Sequence, residues 1–353
     1  MKIRHIPHSK PTIETQDISA VSEVLASGQL ADCSQVALFE KELSSYIGHK
    51  GGVATNSGTN ALHLALLSLG HNDKDEVIIP SYTCTALLSA VYAAQLKPRI
   101  VDINEYDYNI SLSEVEKAVS YRSKAIIAPH MFGDPIGNVE DIIGLGLPVI
   151  EDCALSVGAT LSHRKVGGFS QLSIFSFYAT KVLTAGHGGM ILSSSQETLN
   201  TLRDFMQYDN REEYGRSFNF RLTDFQAALG RSQLYMLDSF IAKRREIAGR
   251  YDSSFRNVNG IGIPSRAKRS IYFRYIIEAR DANEYIEKVS KKGVECRKPV
   301  FRPLHHYLSL DAEDYPNTER AYKHNVSIPI YPTLKDNEIE YVINTIGDVA
   351  DLS

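Results

Sequence analysis

The chain has 353 residues, with 38 Lys and Arg against 42 Asp and Glu, so its formal net charge is −4. Hydrophobic residues make up 43% and charged residues 23%, which is typical of globular proteins and excludes an extensively disordered chain. The length predicts one large domain and one smaller one. The mildly acidic charge argues against nucleic-acid or anionic-membrane binding, because both need a basic surface.

Targeting signals and metal motifs are not evident in the sequence. The N-terminal MKIRHIPHSKP has no apolar run long enough for a signal sequence, and no stretch reaches the roughly 18 apolar residues that span a bilayer. The cysteines are scattered without a CxxC pair, at Cys33, Cys84, Cys153 and Cys296. We therefore predict no disulfide framework, no metal site and a reducing, cytoplasmic setting.

Short apolar runs alternate with amphipathic stretches over about the first 235 residues. Helices are predicted over 14–27, 61–69, 83–94, 113–119 and 138–145, and strands over 77–79, 99–101, 125–128, 149–150 and 172–177. The first helix carries Ile18, Val21 and Leu25 on one face, and Gly28 suits its C-terminal stop. This alternation predicts a mostly parallel sheet that binds ligands beyond the carboxyl ends of its strands.

A long helix is predicted over about 223–255, and a smaller α/β segment follows it. That segment has a strand and two helices, predicted over 272–277, 282–291 and 336–349. We place a domain boundary near residue 235, which gives a large domain (1–235) with a mostly parallel central sheet and a smaller C-terminal α/β domain (236–353).

Two polar segments adjoin predicted elements of the large domain. Residues 55–60 (TNSGTN) precede an apolar helix, whose free N–H groups and hydroxyls could hold a phosphate. An ordinary helix cap explains this segment as well when it is taken alone. Asp152 ends an apolar strand, where its side chain would reach a ligand crevice or would cap a turn.

Two more segments follow. Lys181 lies after the strand 172–177, in a loop with Gly186, Gly188 and Gly189 that allows close approach of the backbone to a ligand. A buried lysine has a lowered pKa and can form a Schiff base, whereas a solvated lysine is only a surface charge. Residues 219–222 (NFRL) alone indicate only a polar turn before a helix.

The order and spacing of these segments are more specific than any one of them. A phosphate-type helix start, an acid at a strand end and then a lysine are typical of a pyridoxal phosphate (PLP) enzyme. The chain resembles the DegT/StrS family of sugar aminotransferases, within the aspartate aminotransferase fold (PLP-dependent transferase fold type I). The similar stretches lie along nearly the whole chain, at 6–11, 27–28, 39–40, 75–81, 130–133, 303–305 and 328–330.

The resemblance implies two catalytic residues. Lys181 matches the lysine that forms the Schiff base with pyridoxal 5′-phosphate and carries a proton between the donor Cα and C4′ of the cofactor. Asp152 matches the acid that faces the pyridine nitrogen and keeps it protonated, so that the ring can accept electron density.

The resemblance also implies a phosphate site and a homodimer. Ser57, Gly58 and Thr59 match the phosphate cup, and Ser176 matches a hydroxyl on the phosphate. Asn219 matches a residue that reaches the phosphate from the neighbouring subunit. Each active site would then be shared between two chains.

Three substrate contacts are predicted. Arg221 matches an arginine proposed to meet the substrate, while His305 and Tyr331 are chosen by their position in the small domain. His305 could equally be a capped surface residue.

Three positions depart from the family pattern. Cys84 stands where the family usually has an aromatic residue that stacks on the cofactor ring. Leu155, three residues after Asp152, replaces a Gln or His beside the cofactor, and His187 replaces an acid before the glycine pair. Cys84 and Leu155 are still predicted to contact the cofactor. Either the pocket is lined by different side chains in a subgroup of the family, or the reaction specificity of the enzyme is altered. Cys153 is read as a packing residue.

The expected reaction moves an amine from glutamate or glutamine to a keto-sugar, expected to be nucleotide-linked, in amino-sugar, surface-polysaccharide or secondary-metabolite biosynthesis. Alternatives are a PLP-binding regulator or sensor of the same fold and a transaminase of keto-cyclitols. A sugar dehydratase is disfavoured, because that branch has His in place of the lysine at position 181.

Overall fold

A computed structural model describes residues 5–264 and 269–350 of the chain. The strands are β1 Gly51–Thr55, β2 Glu76–Pro80, β3 Lys97–Val101, β4 Ser123–Pro129, β5 Val149–Asp152, β6 Thr160–Leu161, β7 Arg164–Lys165, β8 Leu172–Ser176, β9 Gly189–Ser193, β10 Tyr275–Glu278 and β11 Asn325–Ile328. The helices are α1 Thr15–Ser27, α2 Ser34–Ile47, α3 Gly58–Ser68, α4 Thr85–Ala93, α5 Leu112–Ala118, α6 Val139–Gly144, α7 Gln196–Met206, α8 Asp224–Phe255, α9 Ala282–Lys291, α10 Leu304–Tyr307, α11 Pro316–His324 and α12 Asp336–Ala350.

A seven-stranded sheet forms the centre of the larger part, in the order β1-β9-β8-β5-β4-β2-β3. The pairs β2–β3, β2–β4, β4–β5 and β5–β8 are parallel, whereas β9 runs antiparallel to both of its neighbours. The inner strands β2, β4 and β5 are mostly buried, as expected for a mostly parallel sheet with helices on both faces, whereas the edge strand β3 is exposed over its first half. The predicted α/β fold is confirmed.

Local sequence explains where several helices begin and end. Ser57 caps α3 by accepting a hydrogen bond from the Asn60 N–H (3.2 Å), and Asp281 caps α9 in the same way. Gly28, with φ +72°, ends α1 in the left-handed conformation that glycine adopts readily. Each of the helices predicted in the first half of the chain is present, within three residues at either end.

The predicted apolar face of α1 is not buried within the chain. Ile18 is 61% exposed and Leu25 is 55% exposed, whereas Asp17 and Val24 are buried. The Asp17 carboxylate accepts a hydrogen bond from the Gln233 side chain of α8 (2.8 Å). This polar contact turns the side of α1 that carries Asp17 toward α8. An apolar stripe is therefore left on the surface of the single chain.

The C-terminal part has its own core. Strands β10 and β11 pair antiparallel, and residues of α9, α12 and the second half of α8 pack around them. Helix α8 is continuous through residue 235, so the domain boundary placed there stays a prediction. No helix in residues 5–264 and 269–350 combines the length and the apolar character that crossing a membrane requires.

Candidate active site

The carboxyl edge of the sheet brings most of the predicted site residues together. Strand β1 leads to Ser57, β2 to Cys84, β5 ends at Asp152, and β8 ends at Ser176 before the loop that carries Lys181. Because β9 is antiparallel, it begins at this same edge, where its first residue pairs with the last residues of β1 and β8. In open α/β sheets, ligands bind in a crevice outside this edge.

The start of α3 forms a tight cradle with β8 and β9. A Cβ added to Gly189 would lie 2.5 Å from the Ser57 backbone, and one added to Gly58 would lie 2.8 Å from the Ser176 Cβ. The glycines therefore let the Ser176 hydroxyl sit close to the first turn of an eleven-residue helix. Free N–H groups, the helix dipole and hydroxyls at one point suit a phosphate group.

Replacing Ser176 with alanine should weaken cofactor binding while leaving the fold intact. Loss of one hydrogen bond to a charged phosphate corresponds to about a 10- to 100-fold rise in the PLP dissociation constant. Titration of the apo-protein with PLP, followed by absorbance, measures this dissociation constant. Ser173→Ala is the matched control, because Ser173 lies on the same strand but its hydroxyl contacts His49 (3.3 Å). Equal affinities of the two variants would remove Ser176 from the phosphate site.

Lys181 and Asp152 share one buried neighbourhood. Burial lowers the pKa of the Lys181 amine, and the Asp152 carboxylate opposes that shift. Burial raises the pKa of the Asp152 carboxyl. Two effects lower it: the Ala154 N–H donates a hydrogen bond to Oδ1 (2.9 Å), and the positive charge of Lys181 lies nearby. A lysine with a lowered pKa has more of its amine in the unprotonated, nucleophilic form.

The three departures from the family pattern lie at different depths. Cys84 is exposed just before α4 and is close enough to Lys181 to act on the pKa of its amine. Leu155 is half-buried and packs with the apolar cluster that contains Phe273. The exposed His187 meets the Tyr178 ring edge-on, with centroids 5.0 Å apart.

The predicted substrate contacts of the C-terminal part are deeply buried. His305 is fully buried, with Nδ1 2.6 Å from the Ser81 hydroxyl and Nε2 3.0 Å from the Glu319 carboxylate. It therefore ties the end of β2 to α11. Tyr331 is 2% exposed within the C-terminal core, so little of either residue could meet a substrate in this conformation.

Asn219 and Arg221 lie on the segment that leads into α8. Asn219 is exposed. The Arg221 guanidinium pairs with Asp32 (2.7 Å), donates to the Met206 carbonyl and lies over the Tyr208 ring. None of these three contacts of Arg221 is with Lys181 or Asp152 of its own chain.

Sequence reasoning did not single out Arg274, Phe273 or His8. The Lys181 Nζ lies 5.3 Å from the centroid of the Phe273 ring, and the Arg274 guanidinium lies 4.7 Å from the same centroid. A single cation in the otherwise apolar strand-like run 271–277 (IYFRYII) was a signal that could have drawn attention to Arg274.

The side chains fit pyridoxal phosphate. The cradle at Ser57, Gly58 and Ser176 suits its phosphate, the Asp152 carboxylate suits a protonated ring nitrogen, and the Lys181 amine suits its aldehyde. The three features lie along one edge of the sheet, which is the arrangement that one elongated ligand requires.

Comparison with known proteins agrees with this geometry. The profile of the DegT/DnrJ/EryC1/StrS aminotransferase family matches residues 11–347. A dTDP-3-amino-3,4,6-trideoxy-alpha-D-glucose transaminase of Micromonospora megalomicea is 32% identical, with 94% of each chain covered. The spore coat polysaccharide biosynthesis protein SpsC of Bacillus subtilis is 31% identical, over 98% of this chain and 97% of its own.

A solved structure is similar over nearly its full length. DesV of S. venezuelae, crystallised in complex with a ketimine intermediate, superimposes with a TM-score of 0.90 at 30% identity, over 95% of this chain and 94% of its own. The family match spans nearly the whole sequence, and the crevice carries the amine, acid and phosphate cradle that PLP requires. The protein belongs to the DegT/DnrJ/EryC1/StrS family of PLP-dependent aminotransferases.

Proposed function

We propose that the protein moves an amine from glutamate or glutamine to a nucleotide-linked keto-sugar. The observation that carries this proposal is the position of Asp152 at the end of β5 and of Lys181 just after the neighbouring strand β8, at one edge of the sheet in a chain that belongs to this family. The names of the similar proteins support a sugar as the amine acceptor in polysaccharide or amino-sugar biosynthesis.

Each side chain has a separate task in the reaction. Bound PLP supplies an electron sink for the bonds broken at the donor Cα. Burial lowers the pKa of the Lys181 amine, which favours its unprotonated form. The Nζ can then take the proton from the donor Cα and deliver it to C4′ of the cofactor. The Asp152 carboxylate holds the proton of the ring nitrogen, and the first turn of α3 with Ser176 fixes the phosphate.

The proposal is tested by the two half-reactions taken separately. Glutamate or glutamine should convert the PLP form to the pyridoxamine form, which is followed by absorbance. A panel of nucleotide keto-sugars and keto-cyclitols should then be screened for discharge of the pyridoxamine form. Discharge by keto-cyclitols alone would overturn the sugar assignment, and tight PLP binding with no discharge by any acceptor would favour a sensor.

A homodimer with shared active sites is part of the proposal. Large apolar side chains lie on the surface of the single chain at Ile18 (61% exposed), Leu25 (55%) and Tyr235 (90%), where a second copy could cover them. The exposed Asn219 and the partly exposed Arg221, which pairs with Asp32, suit residues that complete the site of a partner. A cytoplasmic location stays a prediction.

Co-expression of two inactive variants tests the shared site. Asn219→Asp should place a second negative charge against the phosphate of the neighbouring site, and Lys181→Ala removes the amine. In random pairing half of the dimers carry both chains, and one of their two sites is intact, so about a quarter of the wild-type activity should return.

The control pairs Lys181→Ala with Asp152→Asn. Both residues belong to the same chain's site, so no intact site forms and activity should stay at background. Light scattering gives the mass of the assembly. A monomer, or recovery of activity in the control pair alone, would contradict the shared-site arrangement.

A further inference from the structure

Arg274 brings a second cation to the aromatic ring that Lys181 approaches. The Lys181 Nζ is 5.3 Å and the Arg274 Cζ is 4.7 Å from the centroid of Phe273. The charge of Arg274 is one of the causes that lower the pKa of the Lys181 amine, so the two cations act on each other. A half-buried guanidinium beside the reactive amine marks a position where an anionic group would be stabilised.

His8 holds the guanidinium in this position. The Arg274 Nη1 donates to the His8 Nδ1 (2.9 Å), and the His8 Nε2 lies 2.9 Å from the Ser327 hydroxyl. Burial, together with the charges of Arg274 and Arg297, lowers the pKa of His8 to about 2. Its imidazole is therefore neutral and can accept the hydrogen bond from Arg274.

Hydrogen bonds to residues 293–295 hold the N-terminal segment that carries His8 in place. The Ile6 N–H donates to the Gly293 carbonyl (2.8 Å), and the Glu295 N–H donates back to the Ile6 carbonyl (3.0 Å). The His8 N–H donates to the Glu295 carboxylate (3.2 Å). His8 is 3% exposed, so it belongs to the packed C-terminal part although it lies near the other end of the sequence.

We propose that Arg274, positioned by His8, binds the carboxylate of the amino-acid donor; this inference rests on the proposed aminotransferase function. In transamination the donor amine takes the place of the lysine amine, and the donor carboxylate is one carbon away. Arg274 lies over the same aromatic ring as the Lys181 amine, so its guanidinium is the cation beside the reacting amine that can receive that carboxylate. A nucleotide diphosphate is separated from the keto carbon by the sugar ring and would lie farther from Lys181.

Arg274→Gln in the PLP-loaded protein tests this assignment. Single-turnover reactions with glutamate and with glutamine should show about a 10- to 100-fold rise in the half-saturating donor concentration, since one charged hydrogen-bonded pair is lost. Arg274→Lys should recover part of the affinity. His8→Ala should raise the half-saturating concentration less than Arg274→Gln, because His8 is a positioning residue.

A second readout does not depend on turnover. α-Methyl-L-glutamate has the carboxylate but no Cα proton, and calorimetry should show that its binding weakens in Arg274→Gln by the same factor as the donor. Arg297→Gln is the matched control, because Arg297 lies near His8 but is 64% exposed at its side chain and pairs with Glu295. Its donor affinity and that of the wild type should agree.

Three results separate the possible failures. Unchanged donor affinity in Arg274→Gln, with an active wild type, would overturn this inference alone. A defect confined to the half-reaction with the nucleotide keto-sugar would also overturn it, since the anion would then be the diphosphate. A wild type that binds PLP but accepts no amine from any amino acid would show that the proposed function itself is wrong.

Discussion

Lys181→Ala should lower transamination by at least about 10⁴-fold, because one side chain supplies both the Schiff-base amine and the proton-transfer group. Proton transfer by a positioned side chain alone contributes roughly 10²–10⁴-fold. The variant should still bind PLP through the phosphate cradle at α3, but no longer covalently. Steady-state rates with glutamate and an identified keto-sugar measure the loss.

Borohydride reduction gives an independent readout for the same variant. Reduction of the wild-type protein should fix the cofactor to a peptide that contains Lys181, whereas the variant should carry none. Lys165→Ala is the matched control, because burial also lowers the pKa of the Lys165 amine. Its Nζ donates a hydrogen bond to the Tyr46 hydroxyl (2.8 Å). Covalent labelling or transamination that survives Lys181→Ala would refute the assignment of this amine.

The residues of the crevice could be predicted because their signal is local. Asp152 and Ser176 end strands, Lys181 follows a strand and Ser57 precedes a helix. The carboxyl ends of parallel strands meet at one edge of the sheet. Alternating strands and helices therefore bring them together without knowledge of side-chain packing. The alternation predicts only parallel neighbours, and residues 189–193 are not among the predicted strands, so the antiparallel run of β9 was not predicted, although it begins at this same edge.

Contacts between distant segments could not be predicted. His8 meets Arg274 only because the N-terminal segment pairs beside Val294. The helical period predicted α1, but it could not show that the Gln233 side chain would draw Asp17 inward and leave Ile18 on the surface. Both outcomes depend on tertiary packing, which overrides local periodicity.

Asp152→Asn should lower transamination by about 10²–10³-fold, since removing one preorganised electrostatic group has an effect of that size. An amide cannot hold a proton on the ring nitrogen as a carboxylate does, so the bound cofactor would be a weaker electron sink. Rates of the two half-reactions measure the loss, and both should fall, because both pass through the same ring.

Glu151→Gln is the control for this variant. Glu151 is the neighbour of Asp152 on β5, and side chains alternate between the two faces of a strand. Its carboxylate accepts from His130 Nε2 (3.1 Å), the Gly167 N–H (2.8 Å) and the Ser170 N–H (2.6 Å). In Glu151→Gln the amide NH₂ would face one of these three donors without an acceptor, which costs about 1–3 kcal/mol of stability. The Asp152 carboxylate stays in place.

The two variants should also differ in how the apo-protein captures PLP as pH changes. The Asp152 charge raises the pKa of the Lys181 amine, so its removal should lower that pKa further. The unprotonated amine then forms at lower pH, and the midpoint of the capture rate against pH should move down in Asp152→Asn. In Glu151→Gln the midpoint should stay near that of the wild type. A midpoint that moves up in Asp152→Asn, or not at all, would mean that the carboxylate and the amine are not neighbours.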